Sequence, residues 1–124
     1  MKYSIEKSEK YTKLLLNEEK LDTLKAPSLK SEIITLYQSG TINLILNLSN
    51  VKYVDSSGLS AVLVANRLSK EVGGYLVLVG ITDHVMKLVK ISKLDHVLNI
   101  LPTEEEAVDA IFLNEIEKDF NGEE

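Results

Sequence analysis

Asp55-Ser56-Ser57-Gly58 sets one carboxylate and two hydroxyls side by side, where an extended apolar segment gives way to a helix-forming run. Side-chain oxygens at such a junction accept hydrogen bonds from the backbone N–H groups that the first helical turn leaves unpaired. Gly58 keeps that turn small enough for another surface to come close. A phosphate placed on either serine would lie at the positive end of the helix, which favours anions. It would add roughly −1.5 to −2 charges beside Asp55. The segment therefore reads either as an ordinary helix cap or as a charge switch, and helix physics does not by itself choose between them.

Other candidate chemistry is thin. A nucleophile elbow ending at Gly58 needs Gly where Val54 stands, and His84 and His96, the only histidines, read as helix and loop residues and not as catalytic bases. There is no phosphate-binding glycine loop of either common type, so a dedicated nucleotide enzyme is not expected. Asp83, His84 and Asp95 lack metal-ligand spacing, and no cysteine is present to supply thiolate ligands, disulfides or thiol catalysis. No metal and no cofactor are expected.

The elements that must position the Asp55 segment follow from periodicity. Residues 3–7 alternate weakly, as an edge strand does, and residues 11–17 read as a second strand closing a hairpin. Leu29, Ile33, Leu36 and Tyr37 recur at helical spacing behind Pro27, and Ser39-Gly40 stops that helix. Residues 42–48 are strongly β-like and largely apolar, and residues 75–79 are a continuous apolar strand, as in the middle of a parallel sheet. The run from Leu59 to Leu68 is Ala/Leu-rich and free of proline, so it reads as a helix, with Gly73-Gly74 beyond it. Thr82 or Asp83 caps a further helix carrying Val85, Met86, Leu88, Val89 and Ile91, with Lys87, Lys90 and Lys93 between them. Those lysines read as a solvated helix face, with an anionic-lipid or acidic-partner patch as the alternative. Residues 97–101 form a last strand. Thr103 and Glu106 make a capping box for a final helix that buries Ala107, Ala110, Ile111 and Leu113.

The order β-β-α-β-α-β-α-β-α implies an α/β fold with a mixed sheet of four to five strands and about four helices. The 124 residues suit one domain, read here as spanning residues 1–124 with an ordered core over about 3–113 and an acidic tail over 114–124. Net charge is −5, which argues against direct nucleic-acid binding. The charge is uneven: residues 1–102 carry +3, and residues 103–124 carry −8, with Lys118 against nine acids. The start has no apolar signal core, and no apolar run approaches the length of a transmembrane segment, so a cytoplasmic protein is expected.

Residues 44–80 resemble the STAS domain, named for sulfate transporters and anti-sigma-factor antagonists. The resemblance rests on Leu46-Asn47-Leu48, on Val54-Asp55-Ser56-Ser57-Gly58-Leu59, on Gly73-Gly74 and on Leu76-Val77-Leu78-Val79, and the element order extends it over nearly the whole chain. It implies a bacterial anti-sigma-factor antagonist, a regulator of transcription that works by switching partners and is not an enzyme. An anti-sigma factor that is itself a serine kinase would bind the unmodified form and phosphorylate the serine after the aspartate. That position is Ser56, with Ser57 as the second choice. The phosphorylated form would let go, and a phosphatase would reset it. By the same resemblance Asp55, Ser56, Ser57 and Gly58 belong to the partner surface, together with Asp22. The family tends to carry Gly-x-Leu-Asp after its second strand, and Glu19-Lys20-Leu21-Asp22 keeps the Leu-Asp but not the glycine. The alternative is a STAS subunit that binds within a signalling scaffold or a lipid-transport complex without phosphorylation.

Overall fold

The computed structural model describes residues 1–121. Its main sheet has five strands: β1 (Tyr3–Lys7), β2 (Thr12–Leu16), β4 (Leu44–Asn47), β6 (Leu76–Val79) and β7 (Asn99–Leu101), lying in the order β1-β2-β4-β6-β7. The β1–β2 hairpin is antiparallel and every other neighbouring pair is parallel, so the sheet is mixed. The central strands β4 and β6 come from the two most apolar of the sequence's strand runs. They are buried on both faces, as their composition requires. A separate two-stranded parallel sheet pairs β3 (Lys20–Leu21) with β5 (Tyr53–Val54). Sequence periodicity misses this second sheet because two-residue strands carry no period.

Four helices complete the fold: α1 (Ala26–Gln38), α2 (Ser56–Glu71), α3 (Asp83–Ile91) and α4 (Glu104–Asn121). The strand period sorts them into layers. Leu14, Leu16, Leu44, Leu46, Leu76 and Leu78 face one way and pack with Leu29 and Ile33 of α1, Ala61 and Val62 of α2, and Val85 and Val89 of α3. Ile45, Val77 and Val79 face the other way, onto Ala107 and Ile111 of α4. Three helices thus cover one face and a single helix covers the other.

The glycine pair after α2 is used as a stop and a close contact. Gly73 has φ +72°, and a Cβ on Gly74 would collide with the Ile42 carbonyl, where the chain enters β6 beside β4. Thr82 caps α3 by accepting the Val85 N–H. At α4 the Thr103 hydroxyl oxygen accepts the Glu106 N–H at 3.1 Å, while the same hydroxyl donates to the Glu106 carboxylate at 3.0 Å.

Three expectations are corrected. The acidic stretch assigned to a tail over 114–124 is helical as far as Asn121, and residues 122–124 lie outside the described residues. Long-range polar contacts hold the extended helix: Asn43, just before β4, donates to Glu115 at 3.2 Å, and the Lys118 ammonium donates to the Gly73 carbonyl at 2.7 Å. Leu113 is exposed, because the face of α4 that meets the sheet is the one carrying Ala107 and Ile111. Ile91 is also exposed, since Val85 and Val89 already define the buried side of α3. Replacing the fully buried Ile111 by alanine (Ile111→Ala) opens a void under the lone helix on that face. It should lower stability by about 2–5 kcal/mol, measured by denaturant unfolding.

Candidate functional site

β5 delivers the chain to Asp55, whose extended backbone (φ −103°, ψ −174°) is that of a helix N-cap. One oxygen of its carboxylate, Oδ1, accepts the Gly58 N–H at 3.0 Å and closes the first turn of α2. The other, Oδ2, reaches out of the helix: it accepts the Thr23 N–H at 3.1 Å and the Thr23 hydroxyl at 3.2 Å. A single carboxylate therefore joins the start of α2 to the loop between β3 and α1. The Gly58 N–H is the main cause holding the Asp55 carboxyl below its ordinary value of 3.8, with Thr23 adding to it. Thr23 was not anticipated. Its partner lies 32 residues away, and no local pattern signals that contact.

The two serines are not equivalent. The Ser57 hydroxyl is half-buried and lies 3.2 Å from the Thr23 hydroxyl, where it is occupied by the same network. Ser56, the first residue of α2, is exposed, and its hydroxyl has no hydrogen-bond partner among the described residues. Of the two hydroxyls, the one at Ser56 is the more accessible and the one without an intramolecular partner among the described residues.

Gly58 is placed differently from the sequence expectation. It is buried, and a Cβ there would overlap the Leu21 carbonyl oxygen and come within 2.9 Å of Leu21 Cγ. The surface it admits is the chain's own β3, so Gly58 seats the helix and does not itself present a contact. Asp22 also has a structural task. Its Oδ1 accepts the Leu24 and Lys25 N–H groups at 3.1 and 3.2 Å, while its carbonyl accepts the Lys25 and Ala26 N–H groups. These bonds fix the turn that leads into α1, and Leu24 is left highly exposed at its tip, beside Thr23.

Glu19, standing where glycine was expected, fits without strain, because Lys93 is the only non-glycine residue with positive φ among the described residues. The Glu19 carbonyl accepts the Lys52 and Tyr53 N–H groups, and its exposed side chain lies 3.7 Å from the Lys52 ammonium. Lys87 and Lys90 are exposed on α3 and Lys93 is exposed just beyond its end. Among the described residues no group of three acidic or histidine side chains is arranged to hold a metal, and no helix is long and apolar enough to cross a membrane.

A mixed five-stranded sheet with three helices on one face and one on the other, and a serine presented at a capped helix start, defines a small α/β domain with a polar corner. The chain belongs to the STAS domain family, whose sequence profile matches residues 4–107. Among curated relatives it is similar to the anti-sigma-B factor antagonist of Staphylococcus aureus, at 28% identity over 80 residues, covering 64% of this chain and 74% of that protein. Among solved structures it is similar to the Bacillus cell fate determinant SpoIIAA in the phosphorylated form (TM-score 0.69, 25% identity, 89% of this chain and 99% of that one). The fold is also shared with an anti-sigma factor antagonist from Mycobacterium paratuberculosis (TM-score 0.79, 19% identity, 89% and 92% covered).

Two outcomes test the site's construction. Asp55→Ala should lower the melting temperature at neutral pH. Because the folded carboxyl titrates below 3.8, its contribution is complete above roughly pH 5 and is lost as pH falls through the folded value. The gap between variant and wild type, followed by thermal melts from pH 7 down to about pH 2.5, should therefore narrow toward acid. Gly58→Ala should cost about 1–3 kcal/mol in chemical denaturation, since the added methyl must push β3 and α2 apart.

Proposed function

We propose that this protein is an anti-sigma-factor antagonist that binds an anti-sigma factor with serine kinase activity, and that phosphorylation of Ser56 dismisses that partner. A phosphatase acting on the phosphorylated form resets the switch. The observation that carries the reading is the contrast between the exposed, unengaged Ser56 hydroxyl and the Ser57 hydroxyl held by Thr23. The similarity to anti-sigma factor antagonists, one of them solved in a phosphorylated form, supports it.

The mechanism is electrostatic. Before modification, the corner offers a partner the Ser56 hydroxyl, the exposed side chains of Leu24, Lys52 and Tyr53, and a loop held in place by Asp22 and Asp55. Ordering that loop in advance lowers the entropy lost on association. Phosphorylation transfers the γ-phosphoryl group of ATP to Ser56 Oγ: the O–P bond forms, ADP leaves, and the hydroxyl proton passes to the kinase's base. The new dianion sits beside the Asp55 carboxylate at the centre of the contact. An anionic kinase cleft that accepted a neutral hydroxyl then meets a charge of roughly −1.5 to −2, and like-charge juxtaposition of this kind costs several kcal/mol. The helix N-terminus tolerates the phosphate, so the domain itself need not refold. The role is one of binding and being modified, in the bacterial cytoplasm where sigma factors act.

The test is reconstitution with the purified anti-sigma factor kinase of the same host and ATP. Mass spectrometry should place one phosphate on Ser56. Ser56→Ala should abolish incorporation, and Ser57→Ala should retain it. Ser56→Asp should weaken kinase binding by about tenfold or more in calorimetry. Phosphate on Ser57 alone, or an aspartate variant that binds like wild type, would sink the switch.

A further inference from the structure

The second half of α4 is apolar on both sides. At about 100° per residue, Ala107 and Ile111 point to the sheet, and Phe112, Leu113, Ile116 and Phe120 form a stripe on the opposite side. These four are 43%, 58%, 61% and 82% exposed, and they include both phenylalanines of the chain. Scattered apolar residues are ordinary on a surface, but a stripe of four over about two turns marks a contact site. Glu105 and Asp109 continue the same side one turn upstream, and Glu117 and Asp119 flank it, so the helix carries seven acids against Lys118 alone.

The charge selects the occupant. An anionic lipid surface would repel such a helix. Pairing two copies of α4 would set acid against acid. What fits is a basic face with an apolar centre, and α3 has one. His84, Lys87, Lys90 and Ile91 share the side of α3 opposite Val85 and Val89, with Asp83 the one acid there, at the helix start; Ile91 is 77% exposed, and Lys93 follows just beyond the helix. None of the three lysines forms an ion pair among the described residues. α3 belongs to the three-helix layer and α4 to the opposite one, so the two patches of one copy lie on different layers.

We infer that α4 of one copy docks on α3 of a second copy, with Ile91 set into the Phe112, Leu113, Ile116 and Phe120 stripe and Lys87, Lys90 and Lys93 against its acids. The contact is head-to-tail: a docked pair keeps one free patch of each kind, α3 on one copy and α4 on the other, so copies add in series and do not stop at a two-fold dimer. It involves neither Ser56 nor the loop around Thr23, so it can be tested apart from the switch proposed above. Having one apolar anchor on the α3 side makes it weak and salt-sensitive.

Sedimentation velocity of the full chain between about 10 μM and 1 mM reads this directly. The weight-average sedimentation coefficient should rise with concentration at about 50 mM salt and fall back toward the monomer at about 500 mM. Ile91→Asp and Ile116→Asp alter exposed side chains and should leave the circular dichroism and melting temperature of the monomer unchanged. Each should weaken self-association by about tenfold or more. An equimolar mixture of the two retains one intact α3 face and one intact α4 stripe, and should form a heterodimer that grows no further. A wild type that stays monomeric throughout overturns the inference. So does association lost in only one of the two variants, or a mixture that remains monomeric.

Discussion

The polar corner at the start of α2 hangs on the carboxylate of Asp55. Its two oxygens point in different structural directions, one inward to the Gly58 N–H and one across to Thr23. The first bond starts α2 at Ser56. The second fixes the loop that opens α1 and, through Thr23, also occupies Ser57. Neither serine's position would be defined without this bridge: α2 would fray at its first turn, and the loop carrying Leu24 would have lost one of its two anchors. Behind the bridge lies the short β3–β5 pair, and Gly58 allows α2 to sit directly on Leu21. The corner is therefore a three-way junction of helix, loop and small sheet, in which the Gly58 and Thr23 amides converge on the Asp55 side chain.

The rest of the molecule gives that junction a rigid base. Both central strands are buried on both faces, and three helices share the leucine-rich face on which α1 and α2 pack. The other face depends on α4 alone, and it is tied down by polar contacts as well as by packing. Glu104 accepts from Asn47 at 2.8 Å and from Lys13 at 3.3 Å, which holds its carboxyl below the ordinary range. Asn43 and Lys118 hold the helix further along. Acids that look like a solubilising tail when counted along the chain thus divide into two groups. Glu104 and Glu115 bind the sheet, while Glu105, Asp109, Glu117 and Asp119 colour the outward side.

Much of the fold was legible. Leu44 to Leu46 and Leu76 to Val79 announce central strands because nothing polar interrupts them, and Leu29, Ile33, Leu36 and Tyr37 announce a helix because their spacing matches one. Ser39-Gly40, Gly73-Gly74 and Thr103 to Glu106 mark ends through chemistry that acts within four residues. The same locality explains the misses. β3 and β5 are too short for any period to show, and Leu113 and Ile91 satisfy a helical pattern although the buried stripes of their helices lie elsewhere.

At the site itself, the run Asp55-Ser56-Ser57-Gly58 determined that a carboxylate would cap a helix and that a serine would stand at its start, because capping is a contact between near neighbours. The order of strands and helices, and membership of the STAS family, were likewise written in that local grammar. The choice between two adjacent hydroxyls was left to the tertiary structure. Thr23 approaches from 34 residues away to engage Ser57 and leaves Ser56 open. The same holds for Gly58, whose missing side chain makes room for Leu21, and for α4, whose outward phenylalanines became visible only once the sheet had taken the helix's other side. In each case the deciding contact joins segments far apart in sequence, and no periodicity, cap or composition within either segment encodes which partner will arrive.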